Sequence, residues 1–172
     1  MTNNDVNNSK ANEEINREIF VDLQLAVDQT AELPSAENFE KWVKLALVGA
    51  NYHQDVEVTI RIVEPAEIQQ LNKDYRHQDK PTNVLSFPFE APPGIELPLI
   101  GDLVICRDIV VEEAKTQAKN VEAHWAHMII HGILHLLGYD HIEIDEASIM
   151  EALEIKLLES LGIANPYEIS AV

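Results

Sequence analysis

The sequence predicts an α+β fold, a single domain in which a mixed sheet of about four strands packs against about five helices. Short segments with alternating apolar and polar residues predict the strands, and longer segments with apolar residues at helical spacing predict the helices. The last three predicted helices follow one another directly, whereas a doubly wound fold would alternate strands and helices. The 172 residues, of which 46% are hydrophobic, suffice for one domain with a substantial core.

The first half of the chain alternates strands and helices. Residues 20–26 and 56–63 are predicted strands, because apolar residues alternate with polar ones in both segments. Ser35 is the predicted N-cap of a helix over about 36–48, since its hydroxyl can accept a hydrogen bond from the first turn. A further helix begins at a proline, whose ring suits the first helical turn, and spans about 65–75.

The second half of the chain contains two strands and then only helices. A short strand is predicted over 84–87, and the four prolines of 88–98 exclude regular structure from most of the loop that follows. Three helices are expected after a strand over 99–106, and they span 108–120, 121–137 and 144–161. The middle helix is the most apolar, so we expect it to be the central, mostly buried helix.

The N-terminal residues differ in composition from the rest of the chain. Residues 1–16 are rich in asparagine and poor in apolar residues, so we expect a flexible polar extension followed by a single domain over 17–172. The chain shows neither the apolar core of a signal peptide nor an apolar run of the ~18 residues that a membrane helix needs, so we expect a cytoplasmic protein without membrane contact. The lone Cys106 ends an apolar run and is predicted to be a buried spectator in a reducing compartment.

Charge is unevenly distributed along the chain. The 12 basic and 30 acidic residues give a net charge of -18, which argues against a protein that coats nucleic acid through long-range attraction. Four of the twelve basic residues nevertheless lie within residues 61–80, in and around the predicted helix over 65–75: Arg61, Lys73, Arg76 and Lys80. Residues 143–168 carry seven acids, and because these alternate with an apolar stripe they are interpreted as a solvated helix face.

Histidines in the segment H-G-I-L-H-L-L-G-Y-D-H predict a metal site. His131 and His135 are four residues apart on the predicted central helix, so both rings can reach one ion. Gly138 is suited to end the helix in a left-handed conformation and to turn His141 back towards them. Three imidazoles leave a tetrahedral Zn²⁺ ion one position for water, which is typical of a catalytic site and predicts a zinc hydrolase.

The other histidines are interpreted differently. His124 and His127 extend the same stripe of the helix, but His127 lies a full turn from His131, so both are predicted to be structural or to support the ligands from behind. His53 and His77 are expected to be ordinary polar loop residues.

A protease is one alternative, because H-x-x-x-H-x-x-G-x-x-H is also the spacing of the metzincins. Those enzymes place a glutamate general base directly after the first histidine, where this chain has Gly132. Asp140 or Glu122 would have to replace that base. Arg76, with Lys73 and Lys80 nearby, instead favours a phosphodiester substrate, since a guanidinium matches phosphate geometry.

Three motifs resemble the YbeY family of bacterial endoribonucleases: K-P-T-N-V-L-S-F-P over 80–88, G-D-L-V-I-C over 101–106, and the histidine segment over 131–141. The resemblance covers roughly 18–168. It implies a zinc-dependent enzyme that cuts single-stranded RNA, matures small-subunit ribosomal RNA and takes part in ribosome quality control. It also implies that His131, His135 and His141 bind one zinc ion and that Arg76 is the essential basic residue of the cleft.

The chemistry that follows has two forms. Zinc held by the three histidines would supply hydroxide, which would attack the phosphorus or deprotonate a ribose hydroxyl that attacks. Arg76 would balance charge on the phosphoryl oxygens. Thr82, Asn83 and Ser86 border the expected substrate loop, where turn formation is an equally good interpretation. Zinc suits three imidazoles, although nickel, copper or iron accept similar donors.

A non-catalytic ribosome assembly factor is the remaining alternative. Its metal would hold the helical end of the domain together, and its acidic residues 143–159 would contact a basic ribosomal protein or another assembly factor. The open coordination position argues against it, because a purely structural site needs none.

Overall fold

The computed structural model describes residues 17–139 and 144–168, and within these ranges the chain forms four strands and five helices. The predicted flexible extension over 1–16 lies outside the described residues. In chain order the elements are β1 (Ile19–Ala26), α1 (Ala36–Gly49), β2 (Val56–Val63), α2 (Pro65–Arg76), β3 (Val84–Pro88), β4 (Leu99–Cys106), α3 (Arg107–Thr116), α4 (Val121–Leu136) and α5 (Ile144–Ser160). The predicted α+β fold is therefore confirmed.

The four strands form one mixed sheet in the order β1-β2-β4-β3. Strands β1, β2 and β4 run parallel, and β3 pairs antiparallel with β4 at the edge of the sheet. In β3, Phe87 lies opposite Asp102 and Pro88 lies opposite Gly101. The carboxyl end of the edge strand therefore meets the beginning of β4.

The two faces of the sheet carry different helices. Ile60 and Leu103 belong to the larger core, which packs against α1, α4 and α5. A smaller core contains Leu85, Val104 and Ile68 of α2. Val104 directly follows Leu103 in β4, so the two side chains belong to different cores. Because successive side chains of a strand point to opposite faces, α2 lies on one face of the sheet and α4 on the other.

Helix boundaries agree with the sequence at most ends. Ser35 accepts a hydrogen bond from the Asn38 amide at 3.2 Å, which confirms it as the N-cap of α1. The prediction of one helix over 108–120 was wrong at its end, because α3 stops at Thr116 and Ala118 adopts a positive φ of 52°. Asn120 instead caps α4 by accepting from the Ala123 amide. Asn120 thus ends the turn between α3 and α4, because its side chain can cap the second of these helices.

Two further expectations concern burial and membrane insertion. Cys106 is fully buried, as predicted, and burial raises the pKa of its thiol, so it is a poor nucleophile. Among the described helices, none has the length and apolar character needed to cross a bilayer.

Candidate metal centre

Helix α4 carries four histidines along one stripe. The ring centroids of His124 and His127 are 6.2 Å apart, those of His127 and His131 are 6.1 Å apart, and those of His131 and His135 are 4.6 Å apart. His124 and His127 are buried, whereas His131 and His135 are only partly buried. The pair predicted to bind metal is therefore the pair with access to solvent.

The end of α4 has the geometry that the glycine predicted. Gly138 adopts a φ of 101°, its amide donates to the His135 carbonyl, and the Tyr139 amide donates to the Leu134 carbonyl. These bonds satisfy the last carbonyls of the helix and turn the chain away from its axis. His141, the third predicted ligand, and Asp140, one of the alternative bases, lie outside the described residues.

Glu154 of α5 lies directly beside the first predicted ligand. Its side chain is completely buried, and His131 Nδ1 donates to Glu154 Oε1 at 2.7 Å. An ionised carboxylate has no proton to donate, so the bond places the ring proton on Nδ1. The other nitrogen of His131, Nε2, is then the one with a lone pair for a metal ion.

Two more donors converge on the same carboxylate. His127 Nε2 lies 3.0 Å from Glu154 Oε2, and the Tyr167 hydroxyl donates to that oxygen as well. Burial alone raises the pKa of Glu154, but the hydrogen bonds from His127, His131 and Tyr167 outweigh it and hold the pKa far below its usual range. Burial lowers the pKa of His127. A buried glutamate anion is thus held by hydrogen bonds from three side chains.

His127, His131 and Glu154 could themselves hold a metal ion, because one donor atom from each lies within 4.8 Å of the other two. The separations of 2.7 and 3.0 Å between the carboxylate and the two rings are nevertheless those of direct hydrogen bonds. Two donors bound at about 2.1 Å to the same tetrahedral ion would lie farther apart, at about 3.4 Å. The observed contacts therefore describe a hydrogen-bonded cluster beside the predicted ligand pair.

His124 has a carboxylate partner of its own. Its Nε2 lies 3.1 Å from Glu113 Oε1 of α3, and the Asn83 amide donates to the same carboxylate. The hydrogen bond from His124 lowers the pKa of Glu113 against the effect of burial. His124 therefore joins α4 to α3 and to the start of β3, which is a structural role.

Arg76 lies at the same end of the sheet as His135. In α4, Gly132 packs on Leu103 and Leu136 on Gly101, so this helix runs towards the beginning of β4. Arg76 ends α2 on the opposite face, where the neighbouring Tyr75 ring lies 5.1 Å from that of Phe87. The edge strand β3 separates the two groups, and Arg76 is exposed.

Of the two proposed substitutes for a protease base, only Glu122 is among the described residues, and the structure weakens it. A Cβ atom at position 132 would lie 2.8 Å from Leu103 Cδ2, so a side chain there would enter the packing between helix and sheet. Glu122 lies in the first turn of α4 and accepts a hydrogen bond from Asn38 of α1, more than two turns before His131. Gly132 therefore allows α4 to pack closely on Leu103 of the sheet.

Sequence reasoning missed Glu154 and Tyr167. The segment 143–168 was interpreted as a solvated face, which is wrong for Glu154, since this residue is fully buried. The signal in the sequence was the spacing of Glu154 from apolar residues of α5. Glu154 lies four residues after Met150, three before Leu157 and four before Leu158, and these three apolar residues are buried. An acid on the apolar stripe of a helix indicates a buried partner.

Comparisons with known proteins agree with the motifs. The family described as Endoribonuclease YbeY matches residues 9–162, which confirms the resemblance. Among solved structures, the chain is similar to TM1509 from Thermotoga maritima, determined in solution, with 28% sequence identity and a TM-score of 0.58. That match covers 87% of this chain and 99% of the other.

Proposed function

Because the chain belongs to the endoribonuclease YbeY family, we propose that it is a zinc-dependent enzyme that cuts single-stranded RNA. Its cellular substrate would be small-subunit ribosomal RNA during maturation and ribosome quality control in the cytoplasm. The observation that carries the metal part of the proposal is the pair His131 and His135, partly exposed and 4.6 Å apart between ring centroids.

The ligands would be His131, His135 and His141. The residues fit a zinc ion, because neutral imidazoles are preferred zinc donors and the Nδ1 of His131 already has a buried carboxylate partner. When bound, zinc lowers the pKa of water to about 7 and polarises a phosphoryl oxygen.

Arg76 would bind and orient the scissile phosphate. Among the described residues no hydrogen bond or ion pair engages its guanidinium, which therefore has its donors available for phosphate oxygens. The positive charge would also balance charge that grows on those oxygens during cleavage. Its position across β3 from α4 makes the edge of the sheet the expected path of the RNA strand.

Two variants and their matched controls test the proposal. His135→Ala should lose both bound zinc and RNA cleavage, whereas Arg76→Ala should keep zinc and lose cleavage by at least about 100-fold, as for removal of one charge-stabilising donor. His53→Ala and Lys44→Ala, which alter a loop histidine and an exposed lysine, should leave both properties unchanged. Zinc is measured by elemental analysis, and cleavage on single-stranded RNA, duplex RNA and an unstructured peptide.

The substrates separate the alternatives. Cleavage of single-stranded RNA alone supports the proposal, and cleavage of the peptide would show a protease instead. A zinc-loaded protein inert towards all three would indicate a ribosome assembly factor. Unchanged zinc content in His135→Ala would remove that residue from the ligand set.

A further inference from the structure

We propose that Glu154 is the positioning residue of the metal site, and that Tyr167, in the segment after the last helix, keeps it in place. The inference rests on the proposed metal ligation by His131. It adds α5 and the C-terminal segment to a site that the sequence motifs confine to α4 and the turn after it.

Glu154 acts on the ligand through the nitrogen that faces away from the metal. The 2.7 Å bond from His131 Nδ1 sets both the rotation of the ring and the nitrogen that carries the proton. A ligand ring fixed in this way binds metal more tightly, because it loses less rotational freedom on binding and its donor nitrogen is more basic.

The carboxylate itself is held by two residues that are not among the proposed ligands. His127 and Tyr167 both contact Oε2, while His131 contacts Oε1. One carboxylate oxygen of Glu154 therefore contacts the proposed ligand His131, and the other contacts the two residues that hold Glu154 in place. A completely buried carboxylate needs several such donors, since an unpaired buried charge is strongly unfavourable.

Tyr167 connects this cluster to the end of the described chain. Its backbone amide donates to Asn165 Oδ1 at 2.8 Å, and the adjacent Pro166 carbonyl accepts from Lys119 Nζ at 3.2 Å. Lys119 belongs to the turn between α3 and α4. The segment is thus tied to the turn that precedes the histidine helix, and it brings the Tyr167 hydroxyl to Glu154.

Metal affinity, measured by competition with a chelator, tests the positioning role. Glu154→Ala should weaken zinc binding by about 10- to 100-fold, the usual effect of removing a partner behind a ligand histidine. Glu154→Gln retains one acceptor oxygen and should restore part of that loss. Glu159→Gln, an exposed residue of the same helix, should bind zinc as the wild type does.

Tyr167→Phe keeps the ring and removes only the hydroxyl, so it tests the cluster even where Glu154→Ala fails to fold. It should weaken zinc binding less than Glu154→Ala does, and Tyr52→Phe is its control. With cobalt in place of zinc, the visible absorption of the Glu154→Gln protein should shift, because the ligand geometry changes. A purely structural role would lower thermal stability and leave the cobalt spectrum and the zinc affinity unchanged, which would overturn the proposal.

Two outcomes separate this inference from the proposed function. If the wild type binds no stoichiometric metal, the proposed function and the inference both fail. If the wild type binds zinc but Glu154→Gln and Tyr167→Phe bind it equally well, only the inference fails. A loss of stoichiometry in Glu154→Ala and His127→Ala, with none in His135→Ala, would make Glu154 a ligand and contradict a positioning role.

Discussion

Gly101 shows how one residue keeps the candidate site assembled. It adopts a φ of 141°, and a Cβ atom there would lie 2.3 Å from the Phe87 carbonyl oxygen and 2.9 Å from Leu136 Cδ2. Only glycine therefore allows β3 and the end of α4 to approach the start of β4 together. The motif residue Gly101 thus has a packing role beside the proposed substrate path.

We expect Gly101→Ala to lower the free energy of unfolding by about 2–4 kcal/mol, the combined cost of backbone strain and overpacking. Denaturant unfolding measures the effect. Gly94→Ala is the control, because Gly94 also has a positive φ of 79° but a Cβ there would meet nothing within 4 Å. Its expected loss is smaller, about 1 kcal/mol from strain alone. Equal losses in the two variants would show that the contact with Phe87 is unimportant.

At the scale of elements, Glu113 joins three segments. It lies on α3, accepts hydrogen bonds from His124 of α4 and from Asn83 before β3, and is partly exposed. Asn83 also accepts a backbone hydrogen bond from Cys106 at the end of β4. The asparagine of the T-N-V-L-S-F motif is therefore a structural link between the sheet and the helices.

The contact predicts a pH dependence of stability. The hydrogen bond from His124 lowers the pKa of Glu113 below the ordinary value of 4.5, so the folded state favours the anion. Its stabilising contribution is present above that value and is lost as the pH falls through the lowered pKa. Glu113→Gln should therefore reduce the difference in unfolding free energy between pH 7 and pH 3. Parallel pH profiles for wild type and variant would contradict this.

At the scale of the whole molecule, charge limits how RNA can bind. The net charge is -18, and exposed acids such as Asp145 and Glu146 lie on α5. The exposed cations Lys73, Arg76 and Lys80 lie instead at or just beyond the end of α2. The 4.0 Å approach of Lys73 to Asp79 is an exposed contact that contributes little. RNA should therefore make few phosphate contacts, concentrated near Arg76.

Salt dependence of RNA binding tests this distribution. If Lys73, Arg76 and Lys80 each contact one phosphate, a plot of the logarithm of the RNA association constant against the logarithm of the salt concentration should have a slope of about −2. Each phosphate contact to a single strand contributes about −0.7 to this slope. Arg76→Ala should reduce the slope by about 0.7, whereas Lys44→Ala should leave it unchanged. Binding is measured with chelator present, so that the strand stays intact. A slope unaffected by Arg76→Ala would place the phosphates elsewhere.

Local pattern was sufficient for much of the fold. The alternation in β2 predicted Val56–Val63 to the residue, and the hydroxyl of Ser35 predicted the start of α1. The spacing of His131 and His135 predicted that their rings share one face of the helix, and the ring centroids lie 4.6 Å apart. These features depend on residues within one or two turns of each other, which a sequence displays directly.

Other features depended on residues that meet only after folding. Glu154 is 23 residues from His131 in the sequence, and Glu113 is 11 residues from His124. The order of the four strands decides that Arg76 and the end of α4 lie at the same end of the sheet. The periodicity of apolar residues predicts which side chains share a face of one helix or strand. It does not predict which other helix or strand packs on that face. The sequence alone thus determined the spacing of the histidines and the strands. Packing decided which carboxylate lies beside His124, His127 and His131, because a buried polar group takes its partner from whatever surface closes over it.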